Sequence, residues 1–159
     1  GSGKSTIGRK IAKKLKLDFI DIDKEIERHE KMSVSQIFFI KGENYFRNLE
    51  EKVVLDKLRL KAKIISLGGG SFINKNVRKN IIKNHISVWL NWDKFTLIER
   101  IIKNDKRPLV NKLTQKELLK MIKERSAIYN KSHFKLDCEN LDKETIENKL
   151  IKIYESKQN

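Results

Sequence analysis

The chain opens on Gly-Ser-Gly-Lys-Ser-Thr, residues 1–6. Gly3, Lys4 and Ser5 fill the last three positions of the phosphate-loop template G-x-x-x-x-G-K-[ST], and Thr6 follows. In that template backbone N–H groups at a helix N-terminus face phosphate oxygens. The lysine reaches the β- and γ-phosphates, and the serine hydroxyl ligates Mg²⁺. The local sequence also fits a Gly-Ser remnant ahead of a helix capped by Ser5 or Thr6. The template has three more positions before Gly1, so the chain is expected to be an N-terminally truncated part of a longer protein.

Further along, Phe-Ile-Asp-Ile-Asp spans residues 19–23. At a strand end, positions i and i+2 point the same way. Asp21 and Asp23 are therefore expected to face one cleft, one holding hydrated Mg²⁺ and the other accepting a proton from a hydroxyl. Equally, Asp23 could cap a helix starting at Lys24, with Asp21 in the turn. Gly68, Gly69 and Gly70 follow the apolar run Ile-Ile-Ser-Leu. They read as bare backbone open to a ligand, or as a flexible turn. Arg47 lies four residues from Glu43 and from Glu51, a spacing that also fits exposed helical ion pairs. Arg107 precedes the only proline, and Arg125 sits one turn before Tyr129. Beside a phosphate loop, such arginines are the cations that phosphoryl transfer to an anionic acceptor needs.

Alternating elements must position these residues. Helical periodicity covers residues 5–16, 24–30, 33–40, 42–60, 74–84, 93–104, 114–131 and 142–155. Strand-like runs cover 17–23, 62–70, 85–92 and 133–140. Strands separated by helices predict an α/β fold with a parallel sheet. Ligands then bind at the carboxyl ends of the strands. Residues from about 104 to 113 form the one candidate mobile segment.

The length of 159 residues suits one domain spanning the whole chain. The net charge is +15, but 28 of the 36 basic residues are lysines spread along the chain. No arginine-rich block or aromatic-basic run marks a nucleic-acid surface. No stretch approaches the roughly 18 apolar residues that span a bilayer. A single cysteine, Cys138, forms no internal disulfide, which fits a reducing cytoplasm.

The set GSGKST, DFIDIDKEIE, GENYFRNLEE, SLGGG, KRPLV and ERSAIY resembles the shikimate kinase family in order and spacing, from Gly1 to about Asp137. The resemblance implies a P-loop kinase fold: a five-stranded parallel sheet of order 2-3-1-4-5, helices on both sides and a lid at about 104–113. The family's first strand, the central strand 1 of that order, is expected to be missing from this chain. It implies ATP-dependent phosphorylation of the 3-hydroxyl of shikimate, a step of aromatic amino-acid synthesis, with ATP and Mg²⁺ as cofactors. Lys4 and Ser5 match the phosphate-loop lysine and Mg²⁺-binding hydroxyl, within a loop of Gly1, Ser2, Gly3 and Thr6. Asp21 matches the acid that holds Mg²⁺ through water, and Ser66 is expected in that water network. Asp23 matches the acid on the shikimate hydroxyls, and Arg47 and Arg125 the pair on its carboxylate. Gly68, Gly69 and Gly70 match the glycines meeting the ring hydroxyls, and Phe38 and Phe46 the pocket aromatics. Arg107 matches the lid arginine and Arg100 a second arginine on the lid side. The adenine loop is expected near Cys138 to Asn140. A cytoplasmic monomer acting on a small molecule follows, with no membrane or nucleic-acid partner. The rival readings are a gluconate or nucleoside-monophosphate kinase, and a basic nucleic-acid-binding module.

Overall fold

The structure is a computed structural model that describes residues 1–61, 63–103 and 113–157. Most of the expected lid, residues 104–112 with Arg107, lies outside the described residues.

Helix α1, Lys4–Leu15, begins directly after Gly3. Gly3 has φ 80°, a left-handed conformation that glycine adopts without strain. Ile7, Gly8, Ile11 and Ala12 form the buried face of α1. A Cβ on Gly8 would lie 2.8 Å from Cε2 of Phe19, so the helix packs backbone-close on the next strand. That strand, β1, is Asp18–Asp21, and α2 follows at Ile22–Glu30. Helix α3, Val34–Leu58, opens on a reciprocal Ser33–Gln36 capping box. It is broken at Gly42 (φ 80°, ψ 169°), where the sequence predicts the boundary between two helices.

Strand β2 is Lys63–Ser66; a glycine turn and a 3₁₀ turn at Ser71–Ile73 lead into α4, Lys75–Asn84. Strand β3, Val88–Asn91, is followed by α5, Lys94–Ile102. Helix α6, Gln115–Tyr129, then leads to β4, Phe134–Asp137, and α7, Lys143–Glu155.

The strands form two parallel pairs, β1–β2 and β3–β4. These are the 2–3 and 4–5 neighbours of the expected order. Among the described residues no strand lies between β2 and β3. A cavity of about 630 Å³, lined by Ile7, Ile11, Ile64, Val88 and Leu90 among others, runs there. The register pairs Asp21 with Ser66 and Asn91 with Asp137, which sets the carboxyl ends of the strands level within each pair.

Two apolar clusters flank the strands. Ile22, Ile26, Ile37, Phe46, Val54, Phe72 and Val77 pack beside β1–β2. Ile7, Ile11, Leu90, Cys138, Ile146 and Leu150 pack beside β3–β4. Each fully buried isoleucine contributes about 1.5–3 kcal/mol of burial free energy.

One expectation is corrected. Strand β1 ends at Asp21, and Ile22 and Asp23 already belong to α2. Ile22 and Ile26, one turn apart and both fully buried, pull the helix start forward. The strand alternation invoked for Asp21 and Asp23 does not apply. The cap is Asp21, which accepts from the Lys24 backbone N–H at 3.3 Å.

Candidate functional site

The first turn of α1 carries no acidic residue of its own. Lys4 is the first residue of that turn, and its Nζ donates to Ser2 Oγ at 3.4 Å. Thr6 is exposed on the same turn. The hydroxyls of Ser5 and Ser66 lie 3.4 Å apart. Asp21 is the register partner of Ser66, so two hydroxyl-bearing residues and one carboxylate-bearing residue meet at the ends of β1 and β2. That oxygen set suits Mg²⁺, which takes one or two carboxylates and completes its shell with water and phosphate. Among the described residues no cluster of three His, Cys, Asp or Glu could cage a metal, and a nucleotide-bound Mg²⁺ does not need one.

The glycine turn after β2 is shaped by side chains pressing on it. A Cβ on Gly68 would collide with Glu50 Oε1 and lie 2.8 Å from Asp23 Oδ1. A Cβ on Gly70 would collide with the Arg47 guanidinium. The Gly69 carbonyl accepts from Arg125 Nη1 at 3.5 Å and from the Tyr129 hydroxyl. The bare backbone read from the sequence therefore admits the protein's own acids and arginine at contact distance. Asp23, despite its helical setting, still faces this turn.

Arg47 donates from Nε to Glu43 at 3.3 Å and from Nη1 to Glu50 at 2.7 Å. Its guanidinium lies over Phe38 and Phe46, 5.7 and 5.2 Å from the ring centroids. Those two rings are themselves 4.5 Å apart. Phe46 is buried in the core, and Phe38 is partly buried against it. Arg47, Arg125, Glu43, Glu51, Gly70 and Asn74 line a cavity of about 380 Å³. Two arginines expected to act together thus share one bowl. Glu51 does not pair with Arg47; it accepts from Asn76 at 3.0 Å and Asn74 at 2.7 Å, which in that order hold its carboxyl below the usual range against burial.

Glu50 is a residue of this bowl that sequence reasoning missed. Its two oxygens serve Arg47 and Ser71, the latter at 2.8 Å. The signal was present: Phe46, Glu50, Val54 and Leu58 recur every four residues on the buried face of α3. An acid inside an apolar stripe is costly unless paired.

Arg100 stands away from this bowl, on α5. Its guanidinium lies 3.8 Å from the Trp92 ring centroid. A Cβ on Gly1 would be 3.3 Å from the Arg100 Cβ, so Arg100 borders the phosphate loop. Arg107 lies outside the described residues.

The shikimate kinase family model matches residues 1–155. A shikimate kinase of Bartonella henselae is 37% identical over 153 residues, covering 96% of this chain and 73% of the relative. That of Bacillus subtilis is 38% identical over 159 residues, covering 95% and 82%. Among solved structures, shikimate kinase from Acinetobacter baumannii in complex with shikimate superposes with a TM-score of 0.91 at 26% identity, over 98% of this chain and 88% of that one. A phosphate loop at one end of the strand tips and an arginine bowl at the other are thus accompanied by a match over nearly the whole chain. The chain belongs to the shikimate kinase family.

Proposed function

We propose that this chain transfers the γ-phosphoryl group of ATP to the 3-hydroxyl of shikimate. The observation that carries the reading is the shared bowl of Arg47 and Arg125, roofed by Gly70 and joined through Gly68 and Gly69 to the loop side. A bidentate arginine matches a carboxylate, and a carboxylate with bare backbone matches ring hydroxyls.

In this reading the N–H groups of residues 1–6 and Lys4 hold the phosphates. Ser5 and Asp21, with Ser66, would hold Mg²⁺. When bound, that ion neutralises charge on the phosphate oxygens. Arg47 and Arg125 grip the carboxylate of shikimate, with Phe38 and Phe46 backing Arg47. Asp23 and the glycine turn orient the ring hydroxyls. Asp23 takes the 3-hydroxyl proton as the oxygen bonds to the γ-phosphorus and the bond to the β-phosphate oxygen breaks. Arg100 and Arg107 serve the nucleotide side. Little covalent chemistry is asked of the protein; alignment and charge neutralisation supply the rate.

The same reading takes the chain as one domain, with a lid at about 104–113, acting as a cytoplasmic monomer on small molecules. Dispersed lysines, rather than an arginine stripe, support the small-molecule reading over a nucleic-acid surface. The test is ADP release with Mg²⁺ and ATP against shikimate, quinate, gluconate and nucleoside monophosphates. Turnover selective for shikimate is expected; preference for gluconate or a nucleotide overturns the assignment.

A further inference from the structure

Trp92 follows β3 directly and makes two contacts with different parts of its ring. Its Nε1–H donates to the Ser2 carbonyl at 3.1 Å. Its π face carries the Arg100 guanidinium, with Cζ 3.8 Å from the centroid. Among the described residues the other cation–aromatic pairs lie at 4.6 Å or more. Among the described residues only Arg100 lies this close over a ring, where a guanidinium gains most.

The unit extends in two directions. Gly1 has the Arg100 stem and Ile101 against its backbone, with a Cβ position 3.3 Å from each. Glu139, in the turn after β4, accepts from the Asp93 N–H at 3.2 Å and from Thr96 Oγ1 at 3.3 Å. The start of α5 is thereby tied to the β4 end while Trp92 ties it to the phosphate loop. A phosphate loop works through backbone groups whose aim is fixed before the ligand arrives. Fixing the Ser2 peptide fixes one of those groups. A guanidinium already stacked likewise loses less freedom when a ligand binds.

We propose that Trp92 is a positioning residue for the nucleoside triphosphate. It sets the Ser2 end of the phosphate loop through its N–H and presents Arg100 to the nucleotide through its ring. This rests on the reading of residues 1–6 and Arg100 as the nucleotide side.

The test compares W92F, which keeps a ring under Arg100 but has no donor, with W92L, which loses both. MgADP and shikimate dissociation constants are measured by calorimetry for each variant, alongside R100A, the W92L/R100A double variant and K4A. W92L is expected to weaken MgADP about 10-fold and W92F about 3-fold, the range of one modest hydrogen bond plus a stacked cation. Shikimate affinity should stay within about 2-fold, which also shows that each variant is folded. W92L and R100A should be non-additive, because Trp92 acts partly through Arg100. If K4A and R100A weaken MgADP but W92L does not, the positioning role is wrong. If W92L weakens both ligands equally, Trp92 is merely structural and the proposal is again overturned. If K4A leaves MgADP binding intact, the nucleotide reading itself fails, an outcome distinct from both.

Discussion

Glu50 and Arg47 form an asymmetric pair one helical turn apart. The Glu50 side chain is 4% exposed and that of Arg47 is 30% exposed, joined at 2.7 Å. The acid is fixed from below by Ser71, so the arginine is aimed while its outer edge stays open to the bowl. Replacing Glu50 by Gln keeps a bonding shape but removes the charge. E50Q is expected to raise KM for shikimate on the scale of a charge-assisted hydrogen bond, about 1.5–3 kcal/mol, with KM for ATP unchanged. Steady-state kinetics with each substrate varied will check this; equal effects on both would refute the aiming role.

Gly70→Ala tests the same arginine from the other side. The backbone of Gly70 is ordinary (φ −108°), so the added methyl strains no dihedral. It would instead displace the Arg47 guanidinium, the far end of a flexible side chain. Melting temperature should therefore change little while KM for shikimate rises about 10-fold or more. A variant that melts much lower with unchanged shikimate kinetics would contradict this.

How far the site could be read in advance depended on whether local signals carried it. The phosphate-loop residues and the Gly68–Gly70 run follow fixed spacings and lie where the sequence puts them. The alternation of Asp21 and Asp23 does not locate the end of β1, because Ile22 and Ile26 carry the helical period. Glu50 was hidden by its neighbour Glu51: only the i,i+4 stripe from Phe46 distinguishes the buried acid from the exposed-side one. Trp92 had no local signal at all, since its partners Ser2 and Arg100 meet it only through the fold.

Cys138 is fully buried, and burial pushes its thiol up to about 11. The ordinary value is 9.0, so the unfolded chain gives up the proton first as pH rises. Stability from this group is full below pH 9 and falls as pH rises towards 11. At pH 8 a thiol reagent should label the native protein on the order of 100-fold more slowly than the urea-unfolded chain. Equal rates would mean the thiol is accessible in the native state.

Glu147 on α7 joins Lys10 at 3.1 Å and Lys14 at 2.7 Å on α1. The hydrogen bond from Lys14 dominates in holding its carboxyl below the usual range, against the opposing cost of burial. A depressed carboxyl stabilises the fold above its unfolded value and loses that contribution as pH falls. Both lysines are about half exposed to screening water, so E147Q should cost only about 1–2 kcal/mol. Thermal melts at pH 7 and at pH 3.5 should show the wild type and E147Q converging at the lower pH. A constant gap would sink the ion-pair account.

Asp23 carries the last prediction, and its helical setting sharpens it. It is the second residue of α2, in the first turn of that helix. Its Oδ1 faces Gly68, where the proposed function has the acceptor hydroxyl meet the γ-phosphate. A carboxylate there can take the hydroxyl proton, whereas an amide keeps the size and donates instead. D23N is therefore expected to lower kcat about 10²- to 10⁴-fold, the usual range for losing a general base. MgADP affinity should remain near wild type, because the proposed phosphate grip belongs to residues 1–6 at the start of α1. Asp21→Asn should behave differently: Asp21 is the register partner of Ser66, whose hydroxyl meets Ser5, and the proposed function gives these residues Mg²⁺, so the Mg²⁺ concentration giving half-maximal rate should rise instead. Single-turnover phosphoryl transfer across a Mg²⁺ series will separate the two. If D23N turns over within a few-fold of wild type while D21N shows the large kcat loss, the roles are reversed and the cap residue is the base.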